Sequence, residues 1–214
     1  STSQLYGGTF NLFAHTLPRQ GIEARMVSYN DFDGFEAAID ERTRAVFCES
    51  IANPGGYITD IAAAAELADA AGIPLIVDNT SATPYLCRPI DHGATLVVHS
   101  TTKYLTGNGT VTGGCIVDSG KFPWKGNPRF PQFNEPDPSY HGVVYVEAMG
   151  EAAFIGRARV VPLRNMGAAL SPMNAFLIMQ GIETLSLRME RHCENAMKVA
   201  ADLRDHAKVS GANF

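Results

Sequence analysis

The stretch IPLIVDNTSATPYLCRPIDHGATLVVHSTTK, residues 73–103, contains two short apolar runs from which the fold can be predicted. The first run ends at Asp78, and the second, ATLVVHS (94–100), is followed closely by Lys103. A strand that is apolar throughout is typical of a parallel sheet covered on both faces. Ligands of open α/β sheets gather at the carboxyl ends of the strands. If the two strands are close in the sheet, Asp78 and Lys103 border one crevice.

The same alternation of strand and helix continues on both sides of this stretch. We predict further strands at 22–29, 45–50 and 113–118, and helices at 9–20, 31–39 and 61–71. The sequence NPGG predicts a turn at 53–56. Strands that alternate with helices indicate an α/β fold with a mostly parallel sheet and flanking helices.

The last third of the chain breaks this alternation. Residues 119–142 are rich in proline and aromatic residues and predict an irregular excursion, a kind of segment that is often functional. From Ser171, apolar residues at three- and four-residue steps predict one long amphipathic helix. The closing stretch KVSGANF (208–214) is interpreted as the start of a strand. Because the chain opens on Ser1, we interpret it as an internal piece of a longer polypeptide.

Composition argues against several classes of protein. The chain is 45% hydrophobic and 18% charged, which is typical of a globular protein with a sizeable core. Its formal net charge of -5 gives no global attraction for nucleic acid or an anionic membrane, and no apolar run approaches a membrane span. The 4 cysteines and 6 histidines are dispersed, which favours free thiols in a reducing cytoplasm over disulfides or a metal site.

The residues around Lys103 indicate an amine that reacts with a carbonyl group. A lysine in a partly desolvated site loses some preference for its charged form and becomes a better nucleophile. Sites for pyridoxal phosphate (PLP) combine such a lysine with an Asp or Arg partner for the ring nitrogen, and Asp78 can fill that role. Ser100 and Thr102 flank the lysine and can donate hydroxyl hydrogen bonds to a phosphate.

Two other interpretations of this stretch stay open on the residues alone. A P-loop has its glycines before the lysine, as GxxxxGK[ST], whereas GNGTVTGG (107–114) follows Lys103. That segment is also not GxGxxG, because its sixth position is Thr112. A nucleotide-binding α/β protein is therefore disfavoured. The other interpretation is that Lys103 is a solvated surface residue.

Residues 77–109 resemble the cofactor-lysine signature of the Cys/Met metabolism PLP-dependent enzymes, which have the aspartate-aminotransferase (type I) fold. Three more segments resemble further blocks of that family in the same order: LYGGTFNLF (5–13), ESIANPGGYITDIAA (49–63) and SPMNAFLIMQGIETLSLRMERHCENA (171–196). RFPQFNEPDPSYHG (129–142) is similar to a segment of the O-acetylhomoserine sulfhydrylase branch.

The resemblance implies cofactor-binding roles for four residues of the central stretch. Lys103 would hold PLP covalently and also act in catalysis. Asp78 would pair with the pyridinium nitrogen, and Ser100 and Thr102 would bind the phosphate.

Two residues outside the central stretch acquire roles only through the resemblance. Tyr6 would stack on the cofactor ring and assist proton transfer, although the sequence alone indicates only an aromatic residue in a turn. Asn53 would lie near the cofactor's phenolic oxygen and the substrate carboxylate, although before Pro54 it is equally typical of a turn.

The resemblance also implies an activity and an assembly. The activity is γ-replacement on O-acetyl-L-homoserine with sulfide or a thiol, which gives homocysteine or methionine plus acetate. Cystathionine γ-synthase, methionine γ-lyase and a non-catalytic protein with the same fold are the alternatives. The implied assembly is a homotetramer, a dimer of dimers in which the two subunits of each dimer share active sites.

The resemblance divides the chain into two parts. Residues 1–170 would form the large PLP-binding domain without its N-terminal part, and 171–214 would lead towards a C-terminal small domain. Part of the phosphate cup and the arginine for the substrate carboxylate would lie outside these 214 residues.

Overall fold

A four-stranded sheet forms the centre of the structure, a computed structural model that describes residues 1–211. Its strands follow one another in space as they do along the chain: β1 (Val46–Glu49), β2 (Leu75–Asp78), β3 (Leu96–Ser100) and β4 (Gly114–Asp118). The first three strands are parallel, and β4 runs antiparallel to β3. This sheet confirms the predicted α/β fold with a mostly parallel sheet.

Helices of very different lengths surround the sheet. They are α1 (Gly7–Asn11), α2 (Phe32–Ala38), α3 (Ile61–Ala70), α4 (Thr83–Leu86), α5 (Pro131–Asn134), α6 (Tyr145–Ala148), α7 (Ala153–Ala158), α8 (Arg164–Met166), α9 (Pro172–Ile182) and α10 (Leu185–Arg204). Shorter π-helical or 3-10 turns occupy Leu12–Thr16, Leu17–Gln20, Pro89–His92, Gly150–Ala152 and Arg159–Leu163. Among residues 1–211, no helix combines the length and apolarity needed to cross a membrane.

Helix α3 covers one face of the sheet. It begins after Asp60, whose carboxylate accepts a hydrogen bond of 3.1 Å from the N–H of Ala63 and thereby satisfies a free helix donor. The small side chains of α3 allow close packing on the alternate strand residues that form the main core, which include Val46, Cys48, Leu75, Val77 and Val97. The opposite face of the strands is therefore left for other contacts.

The irregular excursion has a hydrophobic core of its own. The Trp124 ring lies 4.4 Å from Phe122, 5.0 Å from Phe130 and 4.7 Å from Phe133, measured between ring centroids. The guanidinium of Arg129 donates to the backbone oxygens of residues 40, 41 and 43 and ties the excursion to the main domain. The prediction of an irregular segment is confirmed, and its prolines and aromatic residues have a packing role.

The strand predicted at 22–29 is wrong. Its backbone makes only an isolated parallel bridge, between Val27 and Thr2. The N–H of Val27 donates to the oxygen of Ser1, and its oxygen accepts from the N–H of Ser3. The oxygen of Arg25 also accepts from the amino group of Ser1 at 2.8 Å, but a ladder needs paired groups along several residues.

The single long helix predicted from Ser171 is also wrong, because Glu183 and Thr184 form a turn between α9 and α10. The turn follows Gly181, where the helix lies directly against the backbone of Thr106. The predicted start at Ser171 is confirmed, since its hydroxyl accepts from the N–H of Asn174 at 3.2 Å.

The strand predicted at the end of the chain is not observed where the structure can test it. Residues 208–211 form no strand. Residues 212–214 lie outside the described part of the chain, so the remainder of that prediction is not tested.

Candidate active site

The carboxyl ends of the three parallel strands present polar side chains on one face of the sheet. Glu49 of β1, Asp78 of β2 and Val98 of β3 are aligned in the strand register. Residues aligned in this way share a face, and side chains along a strand alternate between faces. Glu49, Asp78 and Ser100 therefore project from the same face, opposite to the face covered by α3.

Asp78 is held in place by a hydrogen-bonded chain to the next strand. Its Oδ1 accepts from the N–H of Thr80 at 2.9 Å and from the hydroxyl of Thr80 at 2.5 Å. The Thr80 oxygen in turn accepts from the N–H of Ser100 at 2.8 Å. Within residues 1–211 both bonds to Asp78 use Oδ1, so Oδ2 stays available to a ligand. Thr80 was not identified from the sequence.

Lys103 lies in the turn that follows β3, within reach of this face. Its N–H is 3.4 Å from the oxygen of Ser100, and its own oxygen accepts from the N–H of Gly107 at 2.8 Å. The Nζ atom lies 6.0 Å from the centroid of the Tyr6 ring. In the part of the chain that the structure describes, Nζ has neither an ion pair nor a hydrogen bond, so the amine is free to react.

The expectation that Lys103 is partly desolvated is not met by these residues, because its side chain is exposed. The lysine follows a strand end and lies in an open turn, and only the Tyr6 ring lies over its amine.

The two predicted phosphate ligands differ in their surroundings. The Ser100 hydroxyl has no hydrogen-bond partner among residues 1–211 and is therefore free for a ligand. The Thr102 hydroxyl accepts from the N–H of Gly113 at 3.0 Å and also lies 3.3 Å from the oxygen of that residue. To donate a hydrogen bond to a phosphate, the Thr102 hydroxyl would have to give up its 3.3 Å contact with the oxygen of Gly113.

Tyr6 and Asn53 are brought together by a carboxylate that sequence reasoning missed. The N–H of Tyr6 donates to Oε1 of Glu49 at 2.7 Å, and the N–H of Asn53 donates to Oε2 at 3.0 Å. Burial raises the pKa of Glu49, the two N–H donors offset part of that rise, and the charge of Asp78 adds to it. The only signal in the sequence is an acidic residue at the end of the apolar run AVFCE (45–49).

The Tyr6 ring is positioned by the glycines that follow it. A Cβ atom built on Gly8 would lie 2.6 Å from Cε1 of Tyr6, whereas one on Gly7 would meet nothing within 4 Å apart from its chain neighbours Tyr6 and Gly8. The ring can move because it is half exposed. Gly8→Ala should therefore displace the ring from its position over the first helical turn.

We expect Gly8→Ala to weaken PLP binding several-fold, while Gly7→Ala, in the same helix, leaves the dissociation constant unchanged. Fluorescence titration of the two variants with PLP, together with their melting temperatures, measures this difference. Equal affinities for PLP in the two variants would show that the ring position does not matter.

A cavity of about 440 Å³ lies elsewhere, beside β1. It is lined by residues such as Phe13, Arg25 and Val46, and none of the six residues predicted for the active site lines it. The candidate site is an open face at the strand ends and is separate from this cavity.

The donor set at the strand ends fits PLP. Two adjacent strands end in a carboxylate with a free oxygen and a serine hydroxyl, and a lysine amine follows the second strand; within residues 1–211 none of the three groups has a competing partner. These groups match the aldehyde, the ring nitrogen and the phosphate of the cofactor. An aromatic face, that of Tyr6, borders the same amine.

Comparison with known sequences supports this match. All of residues 1–214 match the family model described as Cys/Met metabolism PLP-dependent enzyme. The homocysteine synthase of Schizosaccharomyces pombe is 53% identical over 216 residues, which cover 100% of this chain and 50% of that protein. The O-acetyl-L-homoserine sulfhydrylase of Leptospira meyeri is 48% identical over 222 residues, with 100% and 50% covered. The chain spans about half the length of the curated relatives it matches.

Comparison with solved structures confirms the predicted type I fold. A Campylobacter jejuni protein assigned as an O-acetylhomoserine (thiol)-lyase has a TM-score of 0.94 and 42% identity, covering 100% of this chain and 52% of that one. That structure contains a pyridoxyl-lysine phosphate residue. The O-acetylhomoserine sulfhydrylase of Wolinella succinogenes has a TM-score of 0.83 and 39% identity, with 96% and 55% covered. Matched over its whole length, the chain belongs to the Cys/Met metabolism family of PLP-dependent enzymes.

Proposed function

We propose that this chain belongs to an O-acetylhomoserine sulfhydrylase, which replaces the acetate of O-acetyl-L-homoserine by sulfide or a thiol. The products are homocysteine or methionine, together with acetate. The observation that carries the proposal is the placement of Asp78 and the lysine-bearing turn at adjacent strand ends, in a chain about half identical to enzymes named O-acetyl-L-homoserine sulfhydrylase.

The cofactor, when bound, supplies an electron sink for the negative charge that develops on the substrate carbon. The Lys103 amine would hold the cofactor and, once released by the substrate amine, would take the proton from Cα. Oδ2 of Asp78 would keep a proton on the ring nitrogen, because a neighbouring carboxylate favours the protonated, cationic form of that nitrogen. The Ser100 and Thr102 hydroxyls would donate to the phosphate.

Tyr6, which precedes α1, and Asn53, in the turn after β1, would also contact the cofactor or the substrate. The Tyr6 ring would lie against the cofactor ring, and its hydroxyl would assist Lys103 in moving protons at Cα and Cβ. The side-chain amide of Asn53 would donate to the substrate carboxylate and to the cofactor's phenolic oxygen. Both side chains are exposed and so are accessible to a ligand.

The assembly and domain arrangement are part of the proposal. We infer that residues 1–170 belong to the large cofactor domain and that 171–214 lead towards a small domain. A homotetramer made of two dimers would cover Lys103, which is exposed to solvent in residues 1–211. The free thiols of all 4 cysteines favour a reducing, cytoplasmic setting.

The test is a substrate comparison on the full-length enzyme. We expect homocysteine from O-acetyl-L-homoserine and sulfide, and little cystathionine from the same substrate with cysteine. We also expect little α-keto acid from methionine. Faster elimination of methionine, or faster formation of cystathionine, would assign the chain to another branch of the family. The absence of product from every substrate would support the non-catalytic alternative.

A further inference from the structure

Glu49 is a buried carboxylate without a cationic partner. Only 5% of the residue is exposed, and within residues 1–211 no lysine, arginine or histidine forms an ion pair with it. Its two oxygens each accept a backbone N–H, one from Tyr6 and one from Asn53. Burying a carboxylate that lacks a counter-ion is costly, so a structural role alone would be served better by a neutral side chain.

The partners of Glu49 come from two different segments of the chain. Tyr6 is 43 positions away and caps α1, whereas Asn53 is 4 positions away and opens the turn after β1. A carboxylate accepts hydrogen bonds at both oxygens, and so it can join two N–H donors that face one another. A glutamine at this position would turn an NH₂ group towards one of the two donors.

The backbone of Glu49 is itself fixed. Its oxygen accepts from the Thr59 hydroxyl at 2.6 Å, and the following N–H, of Ser50, donates to the oxygen of Asp78 at 2.9 Å. Glu49 is also aligned with Asp78 in the strand register. The carboxylate therefore links Tyr6 and Asn53 rigidly to the strand that neighbours the one carrying Asp78.

We propose that Glu49 is a positioning residue that holds Tyr6 and Asn53 in place above the sheet face carrying Asp78. The proposal rests on the proposed function for the roles of Tyr6 and Asn53, whereas the two hydrogen bonds do not depend on it. Without Glu49, the exposed Tyr6 ring and the Asn53 side chain lose their common anchor. Cofactor and substrate would then meet a less ordered site.

The experiment uses the full-length enzyme with Glu49→Gln, which keeps the volume of the side chain. The control is Thr95→Val, which removes a buried hydrogen bond of 3.2 Å from the N–H of Leu75 at the amino ends of β2 and β3 and leaves the groups around Glu49 in place. Hydrogen exchange at the amides of Tyr6 and Asn53 is followed by mass spectrometry in the PLP-free protein. The PLP dissociation constant, the KM for O-acetyl-L-homoserine and the melting temperature are then measured for each protein.

For Glu49→Gln we expect exchange at one or both amides to accelerate about tenfold or more, since hydrogen bonds to charged groups are strong. The PLP dissociation constant should rise about tenfold, and the KM should rise with it. Thr95→Val should lower the melting temperature without changing the PLP affinity. Glu49→Asp keeps the charge, but its side chain is one methylene too short to reach both donors, so exchange at one of the two amides should accelerate. This variant replaces Glu49→Gln in the test if the glutamine variant does not fold.

Unchanged exchange at both amides in Glu49→Gln would overturn the proposal, whatever the activity. Faster exchange with an unchanged PLP affinity and KM would also overturn it, because the anchor would then have no effect on the site. Failure of the proposed function is a different result: the unmutated enzyme itself would not bind PLP or would not form homocysteine.

Discussion

Lys103→Ala should lower the rate of homocysteine formation about a hundred- to ten-thousandfold, the range typical of lost acid–base catalysis. The reason is that, among residues 1–211, Lys103 is the lysine that directly follows a parallel strand, and its Nζ lies 6.0 Å from the Tyr6 ring centroid. The cofactor should still bind non-covalently, since Asp78 and Ser100 remain. The measurement is kcat with O-acetyl-L-homoserine and sulfide, with PLP content determined in parallel.

Lys121→Ala is the matched control for this prediction. Lys121 is also an exposed lysine, but it lies in the excursion after β4. Its loss should leave kcat unchanged. Full activity in Lys103→Ala, with the same PLP content as the unmutated enzyme, would contradict the assigned mechanism.

Gly181→Ala should destabilise the protein and disturb the turn that carries Lys103. A Cβ at Gly181 would lie 2.2 Å from the oxygen of Thr106 and 2.7 Å from its carbonyl carbon, both backbone atoms. Backbone cannot move aside as a flexible side chain can, so α9 and the 101–106 turn must separate. Overpacking of this kind typically costs about 1–3 kcal/mol of unfolding free energy.

The measurement for Gly181→Ala is chemical denaturation together with PLP titration. Gly7→Ala is the control, because it also adds a methyl group to a helical glycine but meets nothing within 4 Å beyond its chain neighbours and its own helix. We expect a lower denaturation midpoint and weaker PLP binding in Gly181→Ala alone. A midpoint equal to that of the unmutated protein would show that the contact with Thr106 is not a close one.

Strand ends were the most predictable part of the molecule. The apolar runs that end at Asp78 and Ser100 are local features, and the rule that parallel strands collect ligands at their carboxyl ends placed both residues near one another. The structure has these residues on adjacent strands and on one face. The fold and the centre of the candidate site therefore followed from short-range pattern and general topology.

Features that depend on tertiary contacts were not predictable. The turn between α9 and α10 follows the contact of Gly181 with Thr106, which are distant in sequence. The segment 22–29 has the residue types of a strand, but its pairing with residues 1–3 is limited to bonds at Arg25 and Val27. A pattern of apolar residues carries no information about whether a neighbouring strand is present.

The anchoring groups of the site were missed for a related reason. Glu49 and Thr80 act by accepting hydrogen bonds across the site, from the N–H groups of Tyr6, Asn53 and Ser100. In the sequence they are only polar residues at or just beyond strand ends, and their partners are set by the fold. The exposure of Lys103 was likewise invisible, because desolvation depends on everything packed around a group.

The most direct test of the central claim is reduction of the full-length enzyme with borohydride in the presence of PLP, followed by peptide mass mapping. We expect one phosphopyridoxyl group per chain, located on Lys103, and loss of the yellow absorption on reduction. A phosphopyridoxyl group on another lysine, or none on a protein that still forms homocysteine, would contradict the account.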